Sequence, residues 1–197
     1  MKGAYILPGL IDAHGHVFGF GQEQRQVDLR GSQSVDEVIA RVKAFQQKNP
    51  GLDWIVGRGW NQVLWADKNF PSAAQLDAHF PNNLVMLERV DGHATWVNSK
   101  VMLKARINTK TPDPQGGQII RDATGKATGV FVDNAANLIT AHMPAVTVNT
   151  RAETLKEGMS ALVKLGMTGV HDAGISLDDY QAYRLLGEKK QLPMRVY

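Results

Sequence analysis

The segment LIDAHGH at residues 10–16 joins a short apolar run to two histidines that a single glycine separates. The run precedes Gly19 and Gly21, a pattern typical of a buried strand that ends in a glycine-rich loop. Because side chains alternate along a strand with a period of two, His14 and His16 should project from the same face. Two adjacent imidazoles suit zinc and similar divalent ions, and parallel α/β folds place their sites at such strand ends. The segment therefore predicts half of a metal site, the alternative being two polar loop histidines.

Strand and helix patterns alternate along most of the remaining chain. Capping boxes begin at Ser34 and Thr150, and the apolar residues behind each recur at helical spacing. Short strand-like runs occupy residues 54–56, 84–88 and 167–172, and residues 118–132 have the pattern of a hairpin. Strand, helix and strand at this spacing are typical of a parallel sheet, so the sequence predicts an α/β fold.

The composition limits the classes of partner and site that we expect. The 197 residues include 22 Lys and Arg against 19 Asp and Glu, and the net charge of +3 is not gathered into a basic cluster, so no nucleic-acid partner is expected. No apolar run approaches the roughly 20 residues of a membrane helix, so no membrane partner is expected either. The lack of cysteine excludes disulfides and thiolate metal sites. A cytoplasmic location is favoured, and a periplasmic one stays open because a targeting segment would precede Met1.

His171 and Asp172 end a later predicted strand in the same way as the histidine pair ends the first. One of them would then face the same pocket from a neighbouring strand. Alternatively, Asp172 accepts backbone N–H groups in the turn before the helix that Ser176 caps, and His171 lies near the core. Both interpretations stay open on the residues alone.

Three further residues are candidates for a role in binding or capping. In Asp91-Gly92-His93 the imidazole is a candidate substrate contact, although a local turn stabilised by the aspartate explains the same residues. Trp60 lies in a predicted glycine-rich loop among other aromatic residues and is a candidate pocket wall, although tryptophan is commoner in cores. Asp133 follows the predicted hairpin and is expected to be a helix N-cap.

Taken together, these residues resemble the metal-dependent amidohydrolase superfamily and, more narrowly, its YtcJ-like branch, which includes N-substituted formamide deformylase. The segment PGLIDAHGH at residues 8–16 looks like the first barrel strand of that superfamily. The other similar blocks keep their order along nearly the whole chain: GWNQ at 59–62, LW at 64–65, PS at 71–72, RVDGHATWVNS at 89–99, TPDP at 111–114, TGV at 128–130 and GMTGVHDAG at 166–174.

The resemblance implies that the α/β fold is part of a (β/α)8 TIM barrel. Residues 1–17 would hold barrel strand 1 with the two histidines, and residues 18–149 would form a long α+β excursion that covers the pocket. Residues 150–197 would supply a barrel helix, strand 2, another helix and the start of strand 3.

The resemblance also implies an activity and the residues that serve it. The expected enzyme is a hydrolase that cleaves amide-like C–N bonds in a small molecule with the help of a divalent metal ion, with zinc as the expected metal. His14 and His16 would be metal ligands by direct match to the motif. Trp60, His93 and His171 would lie near the substrate.

Members of this superfamily extend on both sides of the region that this chain resembles. Their further segments hold a bridging lysine, two more histidines and the catalytic aspartate, so the catalytic residues are expected outside this chain. The chain would then be an N-terminal portion of a larger enzyme and would be inactive alone. The alternative is a non-catalytic α/β module that self-associates through exposed barrel strands. A homo-oligomer is expected because such strands lack partners.

Overall fold

In the computed structural model, which describes residues 7–197, the chain divides into two compact units. The first unit contains the described residues up to Arg25 together with Ala145–Tyr197, and the second contains Gln26–Pro144. Residues 1–6 of the predicted first segment lie outside the described residues. The helices and strands are β1 (Leu10–Gly15), α1 (Val17–Gln24), β2 (Val27–Asp28), α2 (Val35–Lys48), β3 (Trp54–Trp60), α3 (Ala73–Asp77), β4 (Leu84–Arg89), β5 (Ala94–Val97), α4 (Ser99–Lys104), β6 (Gly117–Arg121), β7 (Ala127–Asp133), α5 (Asn137–Thr140), α6 (Val148–Lys164), β8 (Met167–Asp172), α7 (Leu177–Glu188) and β9 (Arg195–Val196).

The first unit is built on a three-stranded parallel sheet in the order β1-β8-β9. The helices α1, α6 and α7 contribute to an apolar cluster that includes Val170 of the central strand. The remaining buried members of this cluster are Val17, Ala152, Leu155, Met159, Ala182, Leu186 and Met194. The opposite face of the sheet carries the exposed side chains of Ile11 and Tyr197. Helices therefore cover one face of this sheet, as the strand–helix–strand pattern predicts.

Hydroxyl side chains cap three of the longer helices. Ser34 and Ser176 each accept a backbone N–H from the residue three positions later, which confirms the predicted starts of α2 and α7. The predicted start of α6 at Thr150 is wrong. Thr147 is the N-cap and accepts the N–H of Thr150, because it offers the same hydroxyl three residues earlier and extends the helix by nearly one turn.

Residues 17–24 form helix α1 where the glycines predicted a loop. A Cβ at Gly21 would overlap the backbone oxygen of Thr154 in α6, and one at Gly158 would lie 3.0 Å from the nitrogen of Gly21. The glycines therefore permit close packing of two helices rather than a flexible turn, and sequence composition alone does not separate these uses.

We expect Gly21→Ala to destabilise the first unit by about 1–3 kcal/mol, because the added methyl group forces α1 away from α6. The measurement is urea unfolding followed by far-ultraviolet circular dichroism. Gly19→Ala is the matched control, since a Cβ there meets no atom within 4 Å, and alanine in a helix should stabilise by about 0.5–1 kcal/mol. Equal midpoints for the two variants would contradict close packing at Gly21.

The second unit contains a six-stranded mixed sheet in the order β2-β3-β4-β5-β7-β6. Strands β2, β3 and β4 are parallel, whereas β5, β7 and β6 pair antiparallel, so the predicted hairpin is confirmed as β6 and β7. The predicted loop at residues 57–60 is wrong. Those residues continue β3, where Gly57 pairs with Leu87 of β4. A Cβ at Gly57 would lie 3.0 Å from the side chains of Leu87 and Val27, so the glycine permits close packing within the sheet. Within residues 7–197, no helix has the length and apolarity to cross a membrane.

Candidate metal centre

The two candidate ligands stand at the end of β1, on the face of the sheet that the helices leave uncovered. The pairing of β1 with β8 is irregular between Asp12 and Gly15, where three steps along β1 correspond to two along β8. This bulge turns Gly15 toward the covered face, where a Cβ would lie 2.8 Å from the side chain of Val170. His14 and His16 consequently share the other face. Their rings are 5.2 Å apart between centroids, at right angles, and both residues are exposed.

A backbone carbonyl fixes the tautomer of His16. The Nδ1 atom lies 3.0 Å from the carbonyl oxygen of Ala173, just beyond β8. A carbonyl oxygen can only accept, so in the neutral imidazole Nδ1 carries the proton and Nε2 keeps its lone pair. Metal-binding histidines commonly use one ring nitrogen in this way while the other binds the ion. The arrangement leaves Nε2 available as a ligand.

The two aspartates beside the histidines are engaged in structural hydrogen bonds. Asp12 Oδ1 accepts the backbone N–H of His14 at 3.0 Å. Asp172 Oδ1 accepts the N–H of Val17 at 3.0 Å, and its Oδ2 accepts the hydroxyl of Tyr183 at 2.6 Å. Burial and this hydrogen bond to a carboxylate raise the pKa of the Tyr183 hydroxyl. Tyr183 therefore stays protonated and keeps the end of β8 attached to α7.

In one of the two interpretations of the sequence, Asp172 accepts backbone N–H groups in the turn before α7. The structure does not show this arrangement. Asp172 instead binds the start of α1 and the side chain of Tyr183, because its side chain points to the helix-covered face of the sheet. His171 is exposed and stacks on Tyr197, with ring centroids 4.9 Å apart and an angle of 24° between the rings. The imidazole is thus not in the core and lies on the same sheet face as Tyr197.

The residues present fit part of a metal site. His14 and His16 offer two imidazoles on one exposed face, and the tautomer of His16 suits coordination. A catalytic zinc ion typically has three protein ligands. Among the residues that the structure describes, no group of three or more His, Cys, Asp or Glu side chains is placed to hold one ion. The described part of the chain therefore offers two of the donors that such an ion requires.

Trp60 belongs to the core of the second unit. Its side chain is 0% exposed, and its indole N–H donates to the carbonyl oxygen of Leu87 at 2.8 Å. The ring also contacts Trp65 and Trp96, at centroid distances of 5.9 and 6.2 Å. Trp60 is therefore a packed core residue. The contact between Trp60 and the substrate stays a prediction.

His93 lies in the short connection between β4 and β5. Asp91 Oδ1 accepts the backbone N–H of His93 at 3.0 Å, as the turn interpretation predicts. The imidazole Nδ1 lies 2.8 Å from Asp133 Oδ1. Asp133 occupies the N-cap position of a short 3₁₀ turn at Asn134–Ala136, as predicted, but its side chain makes no capping hydrogen bond there and contacts His93 instead. The two residues are 40 positions apart, and no local pattern signals their contact.

Comparisons with known proteins agree with this architecture. The amidohydrolase family matches the chain over residues 1–197. Putative amidohydrolase YtcJ of Bacillus subtilis strain 168 is 35% identical over 176 residues, which are 89% of this chain and 33% of the relative. N-substituted formamide deformylase of Arthrobacter pascens is 28% identical over 206 residues, which cover 100% of this chain and 37% of the relative.

Solved structures share the fold. The crystal structure of an uncharacterized metal-dependent hydrolase from Pyrococcus horikoshii OT3 superposes with a TM-score of 0.71 at 23% sequence identity. The superposition covers 96% of this chain and 36% of that one. This chain thus spans about a third of the length of the proteins it is similar to.

Proposed function

The chain belongs to the amidohydrolase family, and from that premise we propose that it supplies part of the metal centre of a hydrolase that cleaves amide-like C–N bonds in small molecules. The observation that carries the proposal is the pair of exposed imidazoles, 5.2 Å apart at the end of a parallel strand. The hydrogen bond from His16 to the Ala173 carbonyl adds to it, because it leaves Nε2 free to bind an ion.

The larger architecture that we propose is part of a (β/α)8 barrel. A parallel three-stranded sheet with helices on one face is what two complete strands and the start of a third would form. The likeness to solved metal-dependent hydrolases supports this assignment of the fold. In such barrels the sites lie at the C-terminal ends of the strands, which is where His14 and His16 stand.

A divalent ion, with zinc as the expected metal, would polarise a carbonyl group and lower the pKa of water to about 7. His14 and His16 would hold this ion, and Asp12, which accepts the backbone N–H of His14, fixes the end of the strand that carries His14 and leads into His16. We assign the substrate contacts to His93 and His171, whose imidazoles are both exposed. We also propose that Trp60 lies near the substrate. Because its side chain is buried, it would support the residues that contact the substrate and would not contact the substrate itself.

The 197-residue chain by itself is expected to lack activity. Two imidazoles fall short of the three protein ligands that a catalytic zinc ion typically takes, and the residues of proton transfer would come from the rest of the family's length. The exposed Ile11 and Tyr197 on the uncovered sheet face favour self-association of this isolated chain. A non-catalytic, self-associating module is therefore the second function that the structure supports.

We expect the chain to bind one zinc ion through His14 and His16. Replacing either His14 or His16 with alanine should weaken zinc binding by at least about tenfold, because each removes one of the two donors. The measurement is competition for zinc with a chromogenic chelator at neutral pH.

His142→Ala is the matched control, since His142 is also exposed but lies in the second unit. It should leave the affinity unchanged. Equal zinc affinity in the wild-type chain and in the His14→Ala and His16→Ala variants would refute the assignment of the metal ligands.

A further inference from the structure

An aspartate and a histidine from distant parts of the second unit form an exposed pair. His93 Nδ1 lies 2.8 Å from Asp133 Oδ1, at the end of β7. The backbone N–H of Asp133 also donates to the carbonyl oxygen of His93 at 3.0 Å. Two separate hydrogen bonds thus join the β4–β5 connection to the end of β7.

The backbone of Asp133 is strained. Its φ of +49° and ψ of −125° belong to a region that residues with a Cβ seldom occupy, and its side chain does not cap the short helical turn that follows. A strained residue persists when its surroundings hold it, and such residues cluster at functional sites. Here the strained backbone directs the carboxylate to the imidazole of His93.

The main chain of His93 is held as well. Asp91 accepts its backbone N–H, and the Arg89 guanidinium binds the Asp91 carboxylate at 2.8 Å. The hydrogen bond from Arg89 keeps the pKa of the Asp91 carboxyl below its usual value, so this aspartate stays ionised. The position of the His93 backbone is therefore set independently of the contact that its ring makes with Asp133.

The pair determines which ring nitrogen of His93 is free. A carboxylate accepts hydrogen bonds, so in the neutral imidazole Nδ1 carries the proton and Nε2 keeps a lone pair. The side chain of His93 is 67% exposed, and within residues 7–197 no hydrogen bond occupies Nε2. The same logic operates where a carboxylate orients a histidine for catalysis.

We propose that Asp133 is a positioning residue that fixes His93 with Nε2 as a hydrogen-bond acceptor, and that Nε2 accepts the N–H group of a secondary amide. The identity of the ligand rests on the proposed function, whereas the tautomer does not. The proposed substrates are therefore amides that carry an N–H group, because a tertiary amide has no N–H proton to donate.

The first test is the tautomer of His93, read from the nitrogen-15 NMR signals of the imidazole in the 197-residue chain. With six histidines, the signals can be assigned by single substitutions. We expect a protonated Nδ1 and an unprotonated Nε2 in the wild-type chain. Asp133→Asn should convert this to the tautomer mixture of an unconstrained imidazole, since an amide can donate as well as accept.

Two further variants separate positioning from folding. Asp133→Gly removes the carboxylate but suits the positive φ, so it tests the tautomer even where the asparagine variant folds poorly. Asp91→Asn disturbs the same connection without touching the ring and should leave the tautomer unchanged. A wild-type ring protonated mainly on Nε2, or a tautomer that neither Asp133 variant alters, would overturn the proposal.

The second test uses two small amides as probes. N-methylformamide, which has an N–H, should shift the Nε2 signal of wild-type His93, and the response should fall at least fivefold in Asp133→Asn. N,N-dimethylformamide, which has none, should produce no comparable shift. Equal responses to the two amides would refute the acceptor role. None of these signals depends on His14 or His16, so loss of the metal assignment would leave this test intact.

Discussion

Replacing Trp60 with alanine is expected to lower the free energy of unfolding of the unit at residues 26–144 by about 3–5 kcal/mol. The side chain is fully buried, and its removal leaves a cavity beside Trp65 and Trp96. It also leaves the carbonyl oxygen of Leu87 without its hydrogen bond from the indole. The measurement is chemical unfolding followed by far-ultraviolet circular dichroism, which does not depend on tryptophan fluorescence.

Trp60→Phe is the matched variant, because it keeps an aromatic ring and loses the hydrogen bond together with part of the volume. We expect a smaller loss, about 1–2 kcal/mol. If Trp60→Ala unfolds within 1 kcal/mol of the wild-type chain, the residue is not the core element that the structure shows.

Asp179→Ala should destabilise the first unit by about 3–5 kcal/mol. Asp179 Oδ1 accepts a hydrogen bond from Arg151 at 2.6 Å, and the two side chains are only 11% and 16% exposed. The guanidinium of Arg151 also lies 4.2 Å from the centroid of the Phe18 ring. Removing the carboxylate leaves a largely buried positive charge without its partner and removes the capping contacts with Ser176.

The pH dependence of this loss follows from the pKa of Asp179. Burial raises that pKa, but hydrogen bonds from Ser176 and the ion pair with Arg151 outweigh burial and hold it below its usual value of 3.8. A carboxyl with a depressed pKa stabilises the fold above its pKa in the unfolded chain, and this stabilisation is lost as the pH falls through its pKa in the folded chain. The difference between the wild-type chain and Asp179→Ala should be full at pH 7 and should shrink below about pH 3.8.

Urea unfolding at pH 7 and at pH 3 measures this effect. Asp178→Ala is the control, since Asp178 is exposed in the same helical turn and should change stability much less. The double variant Arg151→Met, Asp179→Ala should recover much of the loss, because it removes the unpaired charge. A loss of equal size in Asp178→Ala and Asp179→Ala, or one that does not depend on pH, would contradict the ion-pair account.

Local signals in the sequence predict much of the fold. The caps at Ser34 and Ser176, the hairpin and the parallel strand at residues 167–172 are all visible in the spacing of apolar and capping residues. Glycine is where prediction fails. Gly21 permits helix packing and Gly57 continues a strand, because a missing side chain has different consequences in different surroundings.

The candidate site was also predictable only in part, because contacts between residues far apart in the sequence orient its side chains. The histidine pair follows from strand alternation combined with the family resemblance, although a bulge rather than a regular strand brings the two rings to one face. The partners that orient the imidazoles come from far away in the chain. Ala173 is 157 positions from His16, and Asp133 is 40 positions from His93, so neither contact leaves a local pattern.

Zinc titration of the chain, followed by imidazole nitrogen-15 NMR, measures whether the imidazoles of His14 and His16 bind one divalent ion together. We expect the signals of both rings to shift together and to saturate at one ion per chain, with the signal of His142 unchanged. Zinc that binds without moving these two rings, or that shifts only one of them, would contradict the assignment of His14 and His16 as ligands.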